Sequence, residues 1–279
     1  MLQLHYDEEI CAVSRLLKMA PFSEDRKILL NKGYYLVETI QKWYVPQTGA
    51  NGASSYSVDL VCRFLKDGSK NNTALYEAGV GSGFSSGQFL KYPGVSVRGC
   101  DVVLQPSVIE LMRQYPDRIT VEENTLYDSL KGLDDESIDI FYADNVFEHM
   151  FPDEFPEIMK LLTAKLKHGA LLFLFIPNRL CGPHDVSKNF LKMGQRATGF
   201  HTMEQSYRDV TECFRCYGIV PAYFTYRTVF KNYGCINDSS GRLNKFKLCL
   251  EGAAKFLPCA VRRNAMELLG LSSYILAKE

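Results

Sequence analysis

The chain has 279 residues, of which 46% are hydrophobic and 23% charged, a composition typical of a globular protein with one large domain or a domain with a smaller attachment. Its 32 basic residues balance 32 acidic ones, and this neutrality argues against a nucleic-acid substrate, whose phosphates usually require a basic face. The longest nearly uncharged apolar run, residues 170–177, is too short to cross a bilayer. Residues 1–10 hold three acids and no apolar core, so we expect no secretory signal.

Nine cysteines are scattered along the chain without paired spacing, and their number is odd. We expect free thiols and a cytoplasmic protein, because disulfides persist mainly in oxidising compartments. Cys213 and Cys216 form a C-x-x-C pair, yet no second pair accompanies them and they lie in a predicted helix. We interpret them as small apolar side chains and assign no metal ligands.

The first 70 residues have helical and loop-like patterns. Ser23 can cap a helix that continues through Trp43, and Pro46 stops it. Residues 46–55 are rich in glycine, serine and asparagine and predict a loop, which a short helix at Val58–Leu65 follows. We predict that residues 1–70 form a helical N-terminal extension that acts as a lid.

From residue 74 the pattern alternates between strand and helix, which predicts a parallel sheet. The predicted strands are Leu75–Gly79, Val95–Asp101, Ile119–Glu122, Ile138–Ala143, Ala170–Ile176, Ile219–Tyr226 and Ser272–Lys278. The predicted helices are Phe84–Leu90, Pro106–Gln114, Glu154–Lys167 and Met203–Tyr217. Residues 71–279 are therefore expected to form one α/β domain. We expect this domain to be Rossmann-like, with a seven-stranded, mostly parallel sheet, helices on both faces, an antiparallel last strand and an insertion at about 228–270.

The first strand enters a glycine-rich turn, Glu77-Ala78-Gly79-Val80-Gly81-Ser82-Gly83. Glycines at alternate positions let a backbone turn sharply and approach a ligand closely. A nicotinamide-binding turn requires G-x-G-x-x-G, and the third glycine of that pattern falls on Phe84 or Ser86. A nicotinamide oxidoreductase is therefore the least favoured interpretation.

The spacing E-x-G-x-G-x-G, followed by Asp101 at the end of the next strand, resembles the class I S-adenosylmethionine (SAM) methyltransferases. Later segments resemble the "EH", "LKPGG", "PN", "GH" and "aGF" segments of the ubiquinone-biosynthesis-type enzymes, in order and spacing, over about residues 74–227. These segments are Glu148-His149, Leu166–Leu172, Ile176–Asn178, Gly199–His201 and Cys216–Ile219.

This resemblance implies a cofactor site for SAM, with S-adenosylhomocysteine as the product. It implies that Asp101 binds the ribose hydroxyls and that the turn after the third strand meets the adenine. It places Asn145, after the fourth strand, near the methionine end of SAM. The implied cofactor-binding residues are Glu77, Gly79, Gly81, Gly83, Asp101, Asn124, Thr125, Leu126 and Asn145.

An alcohol or phenol acceptor would need a proton removed, and histidine is suited to that role because its ordinary pKa lies near neutrality. The candidate bases are His201, His149 and His184, with Asp185 as an acid that orients His184. Each also has a structural interpretation, as part of a helix start or a solvated turn. An amine or carbon acceptor would not require these bases.

We expect the acceptor pocket to come from the N-terminal extension and from loops 178–202 and 228–270. The acceptor is expected to be a small molecule or a glycan-type compound, methylated more readily on oxygen than on nitrogen or carbon. Residues 242–263 carry six basic residues and one acid among leucines and phenylalanines. This stretch fits a phosphorylated or lipid-linked acceptor, a peripheral membrane contact, or a helix that covers the sheet with a solvated basic face.

Two other functions remain open on the same fold. Aminopropyl transfer from a modified SAM is one, although the chain lacks an obvious cluster of acids for a polyamine. The other is a non-catalytic SAM-fold protein that binds a partner, against which the intact glycine turn and Asp101 argue.

Overall fold

The computed structural model describes residues 1–43, 55–68, 72–228 and 233–279. Nearly all of the predicted loop at residues 46–55 lies outside these ranges, as do residues 229–232 of the predicted insertion. The helices are α1 Leu2–Leu16, α2 Glu24–Lys42, α3 Ser55–Gly68, α4 Phe84–Phe89, α5 Pro106–Gln114, α6 Leu126–Lys131, α7 Phe155–Lys165, α8 Tyr207–Arg215, α9 Arg242–Ala254 and α10 Cys259–Leu268. The strands are β1 Thr73–Ala78, β2 Val95–Asp101, β3 Ile119–Glu123, β4 Ile138–Asp144, β5 Leu166–Phe175, β6 Ile219–Arg227, β7 Tyr233–Asn237 and β8 Ser273–Lys278.

The eight strands form one sheet in the order β3-β2-β1-β4-β5-β8-β6-β7. Strands β1 to β5 pair in parallel, whereas β8 runs antiparallel to both β5 and β6. The prediction of seven strands was wrong, because β7 adds an eighth that pairs antiparallel with β6. This strand is short, lies at the sheet edge and is only partly buried, so its sequence lacks the apolar run that marks the central strands.

Both faces of the central strands are buried, as expected for a mostly parallel sheet covered by helices. The order reverses between β1 and β4, and this reversal opens a crevice at the carboxyl ends of the strands. Side chains packed on one face, from the sheet and from α7 and α8, include Tyr76, Phe141, Leu172, Met159, Leu162 and Phe214. Those on the other face, from the sheet and from α3, α4 and α5, include Leu75, Ile140, Phe173, Val58, Phe89 and Val108.

Two predicted boundaries moved for identifiable reasons. Helix α7 ends at Lys165 and β5 begins at Leu166, whereas the sequence predicted a helix through Lys167 and a strand from Ala170. Leu166 already pairs with β4, before the register shifts at a bulge. Helix α8 begins later than the predicted Met203, because Ser206 and Asp209 form a reciprocal capping box at its true start.

Helices α1 and α2 pack together and against the loop after β4, through a cluster that includes Val13, Leu16 and Phe151. Arg26 of α2 is 2% exposed and donates to the Asp153 carboxylate at 2.8 and 3.0 Å. The same guanidinium lies 3.0 Å from Glu154 and stacks 4.2 Å from the centre of the Phe151 ring. This partly buried ion pair fixes α2 over the carboxyl side of the sheet.

The basic stretch at 242–263 is divided between α9 and α10 and does not form one amphipathic helix. Lys247 is buried and donates to Thr225 Oγ1 and to the Gly270 carbonyl, at 2.7 and 2.8 Å. Arg262 donates to backbone carbonyls, whereas Phe256 is 89% exposed. The stretch therefore mainly covers the sheet. No helix among the described residues is long and apolar enough to span a membrane.

Candidate functional site

The glycine turn connects β1 to α4 at the carboxyl edge of the sheet. Gly79, Gly81 and Gly83 all have left-handed backbones, with φ of +68°, +55° and +78°. A Cβ on Gly79 would lie 2.6 Å from Cγ2 of Val146, so this turn packs closely against the loop after β4. A Cβ on Gly81 would have no atom within 4 Å among the described residues beyond its chain neighbours, which leaves the backbone open on that side.

Asp101 ends β2 beside this turn. Its carboxylate accepts the backbone N–H of Gly81 at 2.7 Å and that of Val103 at 3.2 Å. Burial raises the pKa of Asp101, and the backbone hydrogen bonds oppose that rise. Because a carboxylate has about four acceptor positions, two amides leave it able to accept hydroxyl groups from a ligand.

Glu77 lies beneath the turn and is 1% exposed. Its two oxygens accept the hydroxyl groups of Ser85 and Ser86, from the first turn of α4. Burial raises the pKa of Glu77 to about 7, although these hydroxyls favour the ionised form. Glu77 thus ties the start of α4 to the end of β1.

The turn after β3 carries the predicted adenine-contacting residues. The Asn124 N–H donates to the Asp101 carbonyl at 2.8 Å, and the Asn124 side-chain oxygen accepts the Thr125 N–H at 2.9 Å. The Thr125 hydroxyl accepts the Asp128 N–H and so caps α6, which begins at Leu126. These bonds hold the turn next to Asp101.

Asn145, directly after β4, has a left-handed backbone with φ of +55°. Its side-chain amide donates to Asp144 at 2.9 Å, and Asp144 also accepts the Ser57 hydroxyl at 2.7 Å. Ser57 belongs to α3, so the N-terminal extension contributes directly to the end of β4.

A cavity of about 340 Å³, here called the glycine-turn cavity, lies among these turns. Helix α2 closes one side of it. The lining residues include Gly79, Asp101, Asn124, Thr125, Leu126, Asn145, Arg26, Tyr34 and His149. An adjoining space of about 210 Å³ reaches Glu77 and Gly81. Of the nine predicted cofactor residues, Gly83 lines neither space and instead packs near Val108 of α5.

Two of the three candidate histidines, His201 and His184, contact Glu204, a residue that the sequence patterns did not single out. The Glu204 carboxylate lies 2.7 Å from His201 Nδ1 and 3.4 Å from His184 Nδ1, and it accepts the His184 backbone N–H at 2.7 Å. Burial alone would raise the pKa of Glu204, but the hydrogen bonds from both histidines lower it to about 2. Asp185 is not the partner of His184, because its carboxylate accepts Ser187 and the Gly199 N–H.

His149 completes this cluster. Its ring lies 4.6 Å from the His201 ring and 5.8 Å from the Tyr34 ring, centre to centre. Burial and the neighbouring His201 lower the pKa of His149 to about 3. Next to it, Glu148 is 0% exposed, and burial raises its pKa well above the ordinary value.

A larger cavity of about 690 Å³, here called the histidine cavity, adjoins the glycine-turn cavity at Tyr34 and His149. It is lined by His149, His184, His201, Lys188, Phe200, Glu9 and other residues of α1, α2 and the 184–201 loop. A further cavity of about 670 Å³ extends from Asp144 and Asn145 to His184, Arg227 and Arg263. All three histidines therefore line the histidine cavity, which adjoins the glycine-turn cavity.

Comparison with solved structures finds similar proteins. One is the 1,6-didemethyltoxoflavin-N1-methyltransferase of Burkholderia thailandensis, solved with 1,6-didemethyltoxoflavin and S-adenosylhomocysteine; it matches 93% of this chain and 91% of its own, at 15% identity and a TM-score of 0.51. Another is a SAM-dependent methyltransferase from Archaeoglobus fulgidus, which matches 88% of this chain and 99% of its own, at 16% identity and a TM-score of 0.48.

The Burkholderia comparison shows that the chain has the fold of class I SAM-dependent methyltransferases, as the sequence resemblance implied. It does not single out the ubiquinone-biosynthesis-type group. No protein-family model matches the sequence, and a search of curated proteins finds no match.

Proposed function

We propose that this protein is an enzyme that transfers the methyl group of SAM to a small-molecule or glycan-type acceptor and releases S-adenosylhomocysteine. One observation carries the proposal. The Asp101 carboxylate is fixed to the Gly81 amide at the edge of a cavity to which the ends of β1, β2, β3 and β4 all contribute.

The residues of the glycine-turn cavity fit SAM. Asp101 retains acceptor capacity for the two ribose hydroxyls, and Asn124, Thr125 and Leu126 lie where the adenine would be bound. The open side of Gly81 and the polar end of β4 at Asn145 suit the methionine portion. SAM supplies the sulfonium-bound methyl group, whose carbon an acceptor atom attacks in line with the departing sulfur.

We assign the lid to α2, which covers the glycine-turn cavity through Arg26 and Tyr34. The ion pair of Arg26 with Asp153 holds this cover in place. Excluding water and aligning the acceptor are what this chemistry needs most, because orientation alone can lower such a barrier by roughly 7–11 kcal/mol.

We assign the acceptor to the histidine cavity and favour a hydroxyl as the group methylated. The supporting feature is Glu204, a buried carboxylate that holds His201 and His184 at the cavity wall. A pKa of about 3 makes His149 too weak a base, so His184 and His201 are the proposed proton acceptors. Lys188, at the same wall, suits an acceptor that carries phosphate.

A turnover assay tests this proposal. The purified chain would be incubated with SAM and a panel of hydroxylated small molecules, sugars and sugar phosphates, with formation of S-adenosylhomocysteine as the readout. We expect at least one acceptor to give product, with Asp101→Ala much slower and Glu122→Ala unchanged. Tight SAM binding without turnover on any acceptor would instead favour the non-catalytic alternative.

A further inference from the structure

We propose that Glu148, His149 and His201 form a binding site for one divalent transition-metal ion of the zinc class. A ligand atom from each of the three residues lies within 4.8 Å of the others. Two imidazoles and one carboxylate are a common ligand set for such ions, and a three-residue set leaves a further position open for water or substrate.

The geometry of Glu148 points to a cation. The side chain is 0% exposed, and neither carboxylate oxygen accepts a hydrogen bond from any other residue that the structure describes. Burying a carboxyl group without partners is costly, and a buried acid is normally paired, coordinated to a metal or protonated. The two imidazoles beside Glu148 supply the remaining donors for coordination.

The histidines have the hydrogen bonds that metal-binding histidines usually make. His201 is held through Nδ1 by the Glu204 carboxylate at 2.7 Å, which leaves Nε2 to bind an ion. His149 makes a backbone hydrogen bond with Phe200, while its Nδ1 is buried without a partner in the described part of the chain. Such outer partners fix the tautomer and the orientation of each ring.

The proposed metal site lies where an ion can enter and where it can contact a bound acceptor. His149 and His201 both line the histidine cavity, so an ion could enter from there. His149 also lines the glycine-turn cavity. The metal site itself does not depend on methyl transfer. If the proposed function holds, the open position would bind the acceptor hydroxyl and lower its pKa, and His184 would remain as the proton acceptor.

Metal titration of the whole chain tests the site. The protein would be stripped with a chelator, checked for folding by circular dichroism, and titrated with Zn²⁺ in competition with a chromophoric chelator. We expect one equivalent to bind. Glu148→Gln or His149→Ala should weaken binding at least about 100-fold, and Glu204→Gln about 10- to 100-fold. His168→Ala, which changes an exposed histidine outside the cluster, should bind like the wild type.

Co²⁺ spectra and a second variant test whether the ion binds at this cluster and not elsewhere in the chain. Co²⁺ absorption spectra of the wild type should show nitrogen and oxygen coordination; thiolate bands would place the ion on cysteines and overturn the proposal. His201 lies in a loop, so His201→Ala provides a second variant if changes at Glu148 prevent folding. Failure of the wild type to bind Zn²⁺, or undiminished binding by His201→Ala, would also overturn it. SAM binding by the same metal-free protein tests the proposed function separately.

Discussion

The Asp101 carboxylate accepts the backbone N–H of Gly81 at 2.7 Å, across the ends of two neighbouring parallel strands. This bond joins the glycine turn after β1 to the acidic end of β2, and both border the glycine-turn cavity or the space that adjoins it. Gly81 has a left-handed backbone, and apart from its chain neighbours no described residue has an atom within 4 Å of the position that a Cβ would occupy there. The left-handed glycine backbone therefore shapes the site as much as the side chains do.

Gly79 and Gly81 should differ sharply when each is changed to alanine. Both substitutions place a Cβ on a left-handed backbone, which costs about 1–2 kcal/mol. Gly79→Ala should lose more unfolding free energy in urea, because its Cβ would lie 2.6 Å from Val146. Adding Val146→Ala should restore that excess, and equal losses at the two glycines would contradict the packing described here.

Gly81→Ala tests whether SAM binds against the open side of the same turn. Its new methyl group would enter open space next to Asp101, where we place SAM. We expect SAM affinity, measured by calorimetry, to fall far more than stability does. Unchanged affinity would mean that the ligand does not approach this backbone.

Arg26→Met should loosen the cover formed by α2. The substitution leaves the carboxylates of Asp153 and Glu154 without their cation, and we expect a loss of about 2–3 kcal/mol because Asp153 is partly exposed. SAM should dissociate faster in stopped-flow experiments. Lys32→Met, at an exposed position of the same helix, is the matched control and should change neither quantity.

Because of Glu77, the free energy of unfolding should fall as the pH rises. Its pKa is raised to about 7 in the folded chain, from an ordinary value of 4.5. Between these values the folded state holds the extra proton, so the cost of ionising Glu77 is absent below pH 4.5 and complete above about pH 7. Its full size is on the order of 3 kcal/mol.

Urea unfolding of the wild type and of Glu77→Gln at about pH 5 and about pH 8 measures this effect. The amide cannot ionise, so the variant should gain stability relative to the wild type at the higher pH. Glu122→Gln, at an exposed position, should follow the wild type at both values. A constant difference between Glu77→Gln and the wild type would show that Glu77 is ionised throughout.

Sequence patterns located the central strands closely because each is a short apolar run bounded by turn signals. β2 and α5 have the predicted bounds, and β4 extends the prediction by one residue, Asp144. Eight of the nine cofactor residues that the family resemblance implied line the two joined cavities. These residues lie at or just after the ends of strands, so locating the strands in the sequence was enough to locate them.

Residues that meet through tertiary packing could not be predicted in this way. Glu204 lies three residues after His201, but it reaches His184 only because the loop between the two histidines folds back on itself. Asp185 is the acid nearest to His184 in the sequence. Arg26 gave no local signal, since its partner Asp153 lies far along the chain. β7 escaped detection because an edge strand needs little apolar sequence.

Calorimetry of SAM and S-adenosylhomocysteine binding tests the central claim most directly, with wild type, Asp101→Ala and the exposed control Glu122→Ala. We predict that the wild type and Glu122→Ala bind both ligands at one site per chain. Asp101→Ala should bind about 10- to 100-fold more weakly, the loss expected for hydrogen bonds to a charged group, and circular dichroism would confirm that the variant is folded at the temperature of the titration. No binding by the wild type, or equal binding by Asp101→Ala, would contradict the proposal that this cavity holds SAM.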